Sequence, residues 1–378
     1  MTLAVAEPEP RTKRREPGLR KRWLMGFQGI GETRADRLLD RFGDSLPDVL
    51  RDADAVRQEL VPVLADGLPA LGPILAWRLH HAWAEHEAEY AAMAWLEDRG
   101  ITGDAYPKVR RIVRLLGGDA PAVLARNPYA LVSALPWSVV DRIGKAVLGA
   151  SDTPQRLAGA VDAVWSDLRG DGHTATTHAD MRARLTRKLG REHVDAAMAV
   201  GEQQRRYVAE GDILRSPGCR WMEEHIAARL SEWVEEPRDL ARVGAVAANQ
   251  AARHGLNDEQ QAALEHALAH RFAAVAGGAG TGKTALARAL VAAWDEMTSG
   301  GRVALATLSG KAAFVLSRAT GTLAKTLYRT LAEIQEVEDA KAEDTVKASK
   351  LIQQGKAHLD ADTLVVVDEA SMVALGDW

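Results

Sequence analysis

Between Phe272 and Thr284 the chain reads FAAVAGGAGTGKT, an apolar run, a loop with four glycines in six residues, then Lys-Thr opening the helix-prone LARALVAAW. The pattern GxxxxGK[ST], set between a strand and a helix, constrains this fold more than any other feature. Backbone N–H groups can wrap a phosphate only where side chains are out of the way. The N-terminus of the following helix adds free donors and a positive dipole end. The segment therefore predicts an α/β lobe in which Gly277, Gly278, Ala279, Gly280, Thr281 and Gly282 line a nucleotide's phosphates. Lys283 would neutralise the outer two, and Thr284 would offer its hydroxyl to Mg²⁺.

Downstream, TLVVVDEAS (363–371) is a β-branched run ending in two acids. A parallel strand buried on both faces reads this way, and it presents the residues after it at the edge where ligands sit in open α/β sheets. Asp368 is the candidate Mg²⁺ ligand beside Thr284, and Glu369 the candidate base for an attacking water, so Lys283, Asp368 and Glu369 form the catalytic set. A lone Asp-Glu after a strand says little. One that follows such a lysine by 85 residues, 283 to 368, says more.

The first 150 residues read as helices joined by tight turns. LLDRFGDSLPDVL (38–50) and IVRLLGGDAPAVL (112–124) are diverged copies, and repeated sequence signals repeated structure. Gly29-Ile30-Gly31 separates an apolar stretch from Ala35, Leu38, Leu39 and Phe42 at helical spacing, which predicts helix, hairpin, helix. ALGPILAWRL (70–79) repeats this weakly, with Ala76 and Leu79 standing for Ala35 and Leu38, and LPWSVVDRIGKAV (135–147) more weakly still. Such glycines let backbone approach a DNA phosphate without reading sequence, so Gly29 and Gly31 are candidate DNA contacts. The competing reading is a packing turn, and the copies with Ala70 and Pro136 fit it better.

From Thr153 to Trp233 three amphipathic segments (157–169, 179–188, 191–203) precede RRYVAEGDILRS, a hairpin candidate turning at Gly211-Asp212. That order suggests a winged-helix-like module. Trp221 and Trp233, around Ile226 and Leu230, read as core rather than base-stacking platforms, and EEPRDLARVG (235–244) reads as a linker.

With 47% hydrophobic and 26% charged residues and no apolar run near the roughly 20 residues of a membrane helix, the chain is expected to be globular and cytoplasmic, without a membrane partner. Its net charge of −4 gives no global footprint for nucleic acid, so DNA binding must be local. RTKRREPGLRKR (Arg11 to Arg22) is either a flexible basic tail or a phosphate-contacting arm. Cys219 is the single cysteine, and no cysteine or histidine spacing, His80-His81 included, matches a metal site.

The ordered motifs resemble the RecD/TraA branch of superfamily 1 DNA helicases. LNDEQQAAL (256–264) is similar to the adenine-reading Q motif, which places Gln260 on adenine. VALATLSGKAAFVL (303–316) is similar to motif Ia, which makes Ser309, Gly310 and Lys311 candidate DNA contacts. AKTLYRTL (324–331) resembles the segment after it, and DEASMV (368–373) resembles motif II of this branch. Asn127-Pro128-Tyr129 matches the NPY step of the tandem helix-hairpin-helix units that precede the motor in long RecD-like proteins. The resemblance implies ATP and Mg²⁺ as cofactors and 5′ to 3′ movement driven by ATP hydrolysis. It implies single-stranded or 5′-tailed duplex DNA as partner and a place in repair and recombination, and it names no accessory subunit.

There are departures. Leu308-Ser309-Gly310-Lys311 stands where Pro-Thr-Gly-Arg is usual, closer to TraA; Tyr328 stands where histidine is common; and 332–358 is a charged insert expected to form a solvated helix or hairpin. The sequence stops at Trp378, soon after motif II, so the expectation is a shortened motor without its second lobe. Its first lobe would then lack the strand that the family sets between those of the glycine loop and motif II, and stand-alone activity would be doubtful. The alternative is a non-motor DNA- or nucleotide-binding protein with a vestigial ATPase. An unrelated P-loop enzyme, a AAA+ ATPase or a kinase, would not carry the ordered set. The expected fold is mixed: a basic flexible tail (1–22), a mainly α tandem helix-hairpin-helix DNA-binding region (23–150), a winged-helix-like helical module (151–234), and an incomplete RecA-like P-loop lobe (245–378).

Overall fold

Apolar residues at helical spacing draw the chain into its first core earlier than its charges suggest. Leu19, Trp23 and Leu24 bury the short helix α1 (Leu19–Leu24), where Trp23 meets Trp83 and Tyr90 edge-on at centroid separations of 6.0 and 5.1 Å. The computed structural model describes residues 17–377 apart from 66, 151, 235–239, 279 and 361. The first sixteen residues of the expected tail thus lie outside the described residues, but residues 19–22 correct it. Arg20 pairs with Asp44 and Glu97, and Lys21 with Glu32 and Asp36, on a helix whose apolar face anchors it. The chain divides between Pro217 and Gly218 into two units.

In the N-terminal unit the sequence repeat is also a repeat in space. Helix α2 (Glu32–Phe42) ends at Gly43 (φ 51°, ψ −120°), and a 3₁₀ turn leads into α3 (Leu46–Arg51) with proline in its first turn. After α4 (Ala53–Ala55), α5 (Val61–Ala65) and the long α6 (Leu71–Glu97), the same sequence of events recurs. Helix α7 (Tyr106–Leu116) ends at Gly117 (φ 64°, ψ −148°), then comes a 3₁₀ turn, then α8 (Ala120–Arg126), again with an early proline. Both glycines sit in backbone space that side chains avoid. Ala35 and Leu38 of α2 and Ala76 and Leu79 of α6 are all buried, as the weaker repeat predicts.

Helix α9 (Trp137–Leu148) is tied to α10 (Pro154–Gly170) by a buried network. The Tyr129 hydroxyl donates to Asp141 Oδ1 (2.9 Å), and Arg156 donates to both oxygens of the same carboxylate (2.7 and 3.1 Å). Burial would raise the Asp141 carboxyl, but Arg156, Lys145 and Tyr129 outweigh it and hold the group below its ordinary range. Gly144 and Gly159 flank the Tyr129 ring, where any Cβ would overlap it.

Beyond this point follow β1 (Ala175–Thr177), α11 (His178–Leu189), α12 (Val194–Gln203), β2 (Val208–Glu210) and β3 (Ile213–Arg215). The strands pair antiparallel in the order β1-β3-β2, and the β2–β3 turn is Gly211-Asp212 with Gly211 at φ 63°. Three helices around this sheet give a winged-helix-like order, with Leu157, Val161, Val164 and Trp165 of α10 packed on Met181, Leu185 and Met198.

The division at Pro217 falls earlier than the expected boundary at 234. Helix α13 (Pro217–Val234) buries only Cys219 among its described residues. This corrects the core reading of its tryptophans. Trp221 is 64% exposed and stacks on His225, while Trp233 is half-buried under Arg271. Helical spacing marks a face but cannot say whether anything packs on it. Of the expected linker, 235–239 lies outside the described residues, and Leu240 already opens α14 (Leu240–His254).

The C-terminal unit continues with α15 (Asp258–Ala269), α16 (Lys283–Thr298), β4 (Arg302–Thr307), α17 (Gly310–Thr320), β5 (Ala324–Thr326), α18 (Leu327–Glu343), α19 (Thr345–Gln353) and β6 (Thr363–Val367). The strands form a parallel sheet in the order β5-β4-β6. Here the expected strand before the glycine loop is corrected: residues 273–278 take no strand pairing, and Val275 is 44% exposed. A parallel strand exists only by pairing, and the described sheet offers it no neighbour. Among the described residues no helix is long and apolar enough to cross a membrane.

The charged insert is a helical hairpin, α18 against α19, with a buried side: Val337, Ala340, Ala348 and Glu333. Burial would raise the Glu333 carboxyl, but Lys325, the Ala357 N–H and Arg329 outweigh it and bring it to about 2. Its folded value lies below its unfolded one, so its stabilisation is present above pH 4–5, roughly the ordinary glutamate range, and is lost as pH falls towards 2. Glu333→Gln is expected to destabilise the C-terminal unit by on the order of 2 kcal/mol at pH 7 and by little near pH 2. Amide exchange of α18 at the two pH values checks this, and an equal loss at both would refute it.

Candidate nucleotide-binding loop and nucleic-acid contacts

Helix α16 opens at Lys283 behind Gly282, whose φ of 83° and neighbour Gly280 at 77° are left-handed. A Cβ on Gly277 would lie 2.7 Å from Thr281 Oγ1, and one on Gly282 would overlap the Gln260 amide. The glycines are therefore demanded by the loop's own shape. Lys283 Nζ donates to the carbonyls of Gly277 and Gly278, both at 2.8 Å, and Thr281 Oγ1 donates to Gly278 O at 2.9 Å. Thr284 is exposed on the first turn of α16, and Ala279 lies outside the described residues.

Gln260 reaches the loop from α15. Its Nε2 donates to Thr281 O (2.9 Å), and its Oε1 accepts from Asn257 N (3.0 Å) while Asn257 Oδ1 accepts from Gln260 N. Asn257 and Gln260 thus form a capping box at the helix start. The spacing Asn-x-x-Gln carried that signal in the sequence, unread beside the adenine assignment.

Where β6 ends, the Asp368 N–H donates to Ala306 O (2.9 Å), extending the β4–β6 ladder past β6. Glu369 follows at φ 58°, its N–H donating to Asp368 Oδ1 (3.0 Å). Because β4 and β6 are parallel, Asp368-Glu369 and Ser309-Gly310-Lys311 leave the sheet at the same end. Ser309 caps α17, its Oγ accepting from Ala312 N (3.1 Å), and Lys311 is exposed. No hydrogen bond or ion pair joins Asp368 or Glu369 to Lys283 or Thr284 among the described residues. Nor do they contain a group of three or more His, Cys, Asp or Glu side chains able to hold a metal ion.

In the N-terminal hairpin, Gly29 has φ 90°, and a Cβ there would lie 2.6 Å from Leu75 Cδ2, so packing alone requires this glycine. Arg34 donates to Gly29 O at 3.1 Å and also to Leu64 O. Gly31 is different: it caps α2 in extended backbone, with nothing within 4 Å of where its Cβ would be. Glu32 occupies the first turn beside it, paired with Lys21.

Comparison with known proteins adds the following. Residues 255–378 match the family model described as "AAA domain", and residues 85–175 the one described as "ATP-dependent RecD2 DNA helicase HHH domain". The ATP-dependent RecD2 DNA helicase of Deinococcus radiodurans is 27% identical over 323 residues, which is 80% of this chain and 43% of that protein. A probable conjugal transfer protein TraA of Sinorhizobium fredii is 38% identical over 124 residues, 32% of this chain and 9% of that protein. The conjugal transfer protein TraA of Agrobacterium fabrum is 35% identical over 153 residues, 40% of this chain and 12% of that protein. The chain spans less than half the length of these relatives.

The two glycine environments predict opposite outcomes. Gly282→Ala meets both a left-handed backbone and the Gln260 amide, so it should destabilise the C-terminal unit by about 1–3 kcal/mol. Gly31→Ala, in open space at φ −84°, should cost less than about 1 kcal/mol. Denaturant unfolding of both variants measures the contrast, and equal costs would refute the geometric distinction.

Proposed function

We propose, from the premise that the chain is RecD-like with a helix-hairpin-helix region ahead of a P-loop domain, that it serves as nucleotide-binding and DNA-contacting portion of an ATP-dependent DNA helicase. The observation that carries this reading is the glycine loop, with Lys283 drawn onto the Gly277 and Gly278 carbonyls and Gln260 seated behind Gly282. A lysine that spends two of its three donors on loop carbonyls stands ready to exchange them for phosphate oxygens. The residues fit ATP with Mg²⁺, which would supply the phosphoanhydride whose hydrolysis drives movement.

In this reading the loop from Gly277 to Gly282 offers N–H groups, and Lys283 supplies the counter-charge. Thr284 and Asp368 would hold Mg²⁺, and Glu369 would accept a proton from water. Gln260 would read adenine through its amide after giving up its bond to Thr281 O. Ser309, Gly310 and Lys311, with Gly31, would contact DNA backbone. Movement 5′ to 3′ on single-stranded DNA, a preference for 5′-tailed duplexes and a place in repair or recombination belong to the same proposal. The AAA-domain match alone does not separate a helicase from other P-loop ATPases; the RecD2 and TraA matches support the narrower reading.

A second reading is a DNA- and nucleotide-binding protein that turns ATP over weakly or not at all. One set of measurements separates the two. Fluorescent ATP analogue binding should be lost, by tenfold or more, in Lys283→Ala; binding that survives would sink the nucleotide reading. Hydrolysis stimulated by oligothymidine and abolished by Glu369→Gln would support the motor. Binding without hydrolysis would select the second reading, and unwinding from a 3′ tail would overturn the polarity.

A further inference from the structure

In the N-terminal unit, where the last turns of α10 approach the loop after α12, lies a cleft of about 400 Å³. Its lining runs from Tyr129 and Ser133 through Asp162, Trp165 and Arg169 to Arg205, Arg206 and Ser216. Three guanidinium groups thus stand against one carboxylate. Arg206 donates to Asp162 Oδ2 (2.9 Å) and to Gln204 Oε1 (3.3 Å), while Arg169 and Arg205 make no ion pair among the described residues. Burial pushes the Asp162 carboxyl up, with Arg206 and Arg169 opposing, and its bond to Arg206 leaves two further guanidinium groups facing the cleft.

Among the described residues two donors in these walls have no acceptor, Arg206 Nε and the indole N–H of Trp165, a residue only 3% exposed. Buried donors are rarely left this way, and the arrangement calls for an oxygen-rich anion. Arg205 stands at the left-handed end of α12, φ 54°, its N–H on Glu202 O and the Arg206 N–H on Gly201 O, which fixes where its side chain leaves the helix. Guanidinium forks match phosphate oxygens in geometry and charge.

We propose that this cleft is a phosphate-binding site, seating one phosphate of a DNA backbone or of a free nucleotide. Only its DNA arm rests on the helicase reading; a phosphate site in this unit stands whether or not the glycine loop hydrolyses ATP. Neither the repeat nor the glycine-loop motifs pointed here, because its residues come from four separate segments of sequence.

The test uses the full chain in a Lys283→Ala background, so that the glycine loop contributes no phosphate binding. Arg205→Gly removes a guanidinium and relieves the left-handed backbone, and Arg169→Gln removes the second unpaired one. Trp165→Phe removes the indole N–H while keeping an aromatic, smaller side chain. Inorganic phosphate is titrated by calorimetry, and fluorescent oligothymidine by anisotropy across a salt series. The Arg205→Gly/Arg169→Gln pair is expected to weaken phosphate binding about tenfold. It should also lower the slope of log affinity against log salt for oligothymidine by roughly 0.7, one phosphate's worth. Loss of phosphate binding with oligothymidine binding intact assigns the cleft to a free phosphate or nucleotide. Unchanged phosphate and oligothymidine binding in folded variants overturns the proposal, as does an equal loss from Arg111→Gln, which lies outside the cleft.

Discussion

The parallel pairing of β4 with β6 is the constraint on which the C-terminal unit depends. Its register runs from Arg302 opposite Thr363 to Ala306 opposite Val367, and the Asp368 N–H carries it one bond further onto Ala306 O. A slip of one residue would turn every side chain of β6 to the other face. It would also carry Asp368 and Glu369 away from the end at which Ser309, Gly310 and Lys311 leave β4. Parallel strands need long connections, and here these are helical: α17 leads from β4 to β5, and α18 with α19 leads from β5 to β6. The buried side of the α18–α19 hairpin, anchored by Glu333 on Lys325 and Arg329, is therefore part of what sets the acidic pair in place, although it lies in the segment that reads as a solvated insert.

The N-terminal unit rests on a different kind of constraint. A buried carboxylate is costly unless every lone pair is engaged, and breaking such a group leaves its partner charged and dry. Asp141 avoids this by meeting Tyr129, Lys145 and Arg156 together. The network requires Gly144 and Gly159 beside the Tyr129 ring, so six positions spread from 129 to 159 are fixed by one another. It also joins the last repeat helix, α9, to α10 of the winged-helix-like order. The RecD2-type match, residues 85–175, includes both sides of this junction.

What could be read in the sequence was whatever a short stretch decides for itself. The glycine loop, the turn at Gly211-Asp212 and the paired helix ends at Gly43 and Gly117 are such features, since each rests on backbone conformations that only certain residues tolerate. What could not be read depended on distant partners. The run before the glycine loop has a strand's composition, yet residues 273–278 pair with nothing, and Val365 on β6 remains 47% exposed. Trp221 has the spacing of a core residue and lies in the open. Arg20 and Lys21 have the composition of a tail and form ion pairs across the first repeat. The Asp141 network was legible only as the tripeptide Asn127-Pro128-Tyr129, because its acceptor lies twelve residues on and its guanidinium fifteen further.

Backbone strain sharpens the distinction between structural and functional positions. Among the described residues three non-glycines hold positive φ: Arg205, Ser299 and Glu369. A left-handed backbone costs such residues on the order of 1 kcal/mol each, which selection removes unless something needs it. Ser299 has a structural account, since it closes α16 as a left-handed C-cap ahead of Gly300-Gly301, and its N–H bonds to Asp295 O. Glu369 has a partial one, because its N–H bonds to the preceding carboxylate; but that turn also leaves the side chain exposed where β6 ends, as a base facing a bound nucleotide would have to be. Arg205 has the same kind of account: it follows the end of α12, with its N–H on Glu202 O (3.0 Å) and the Arg206 N–H on Gly201 O (2.7 Å), although glycine would be unstrained there. The same turn presents its guanidinium to the cleft where we propose an anion, so a left-handed position can close a helix and still carry a charge to a site.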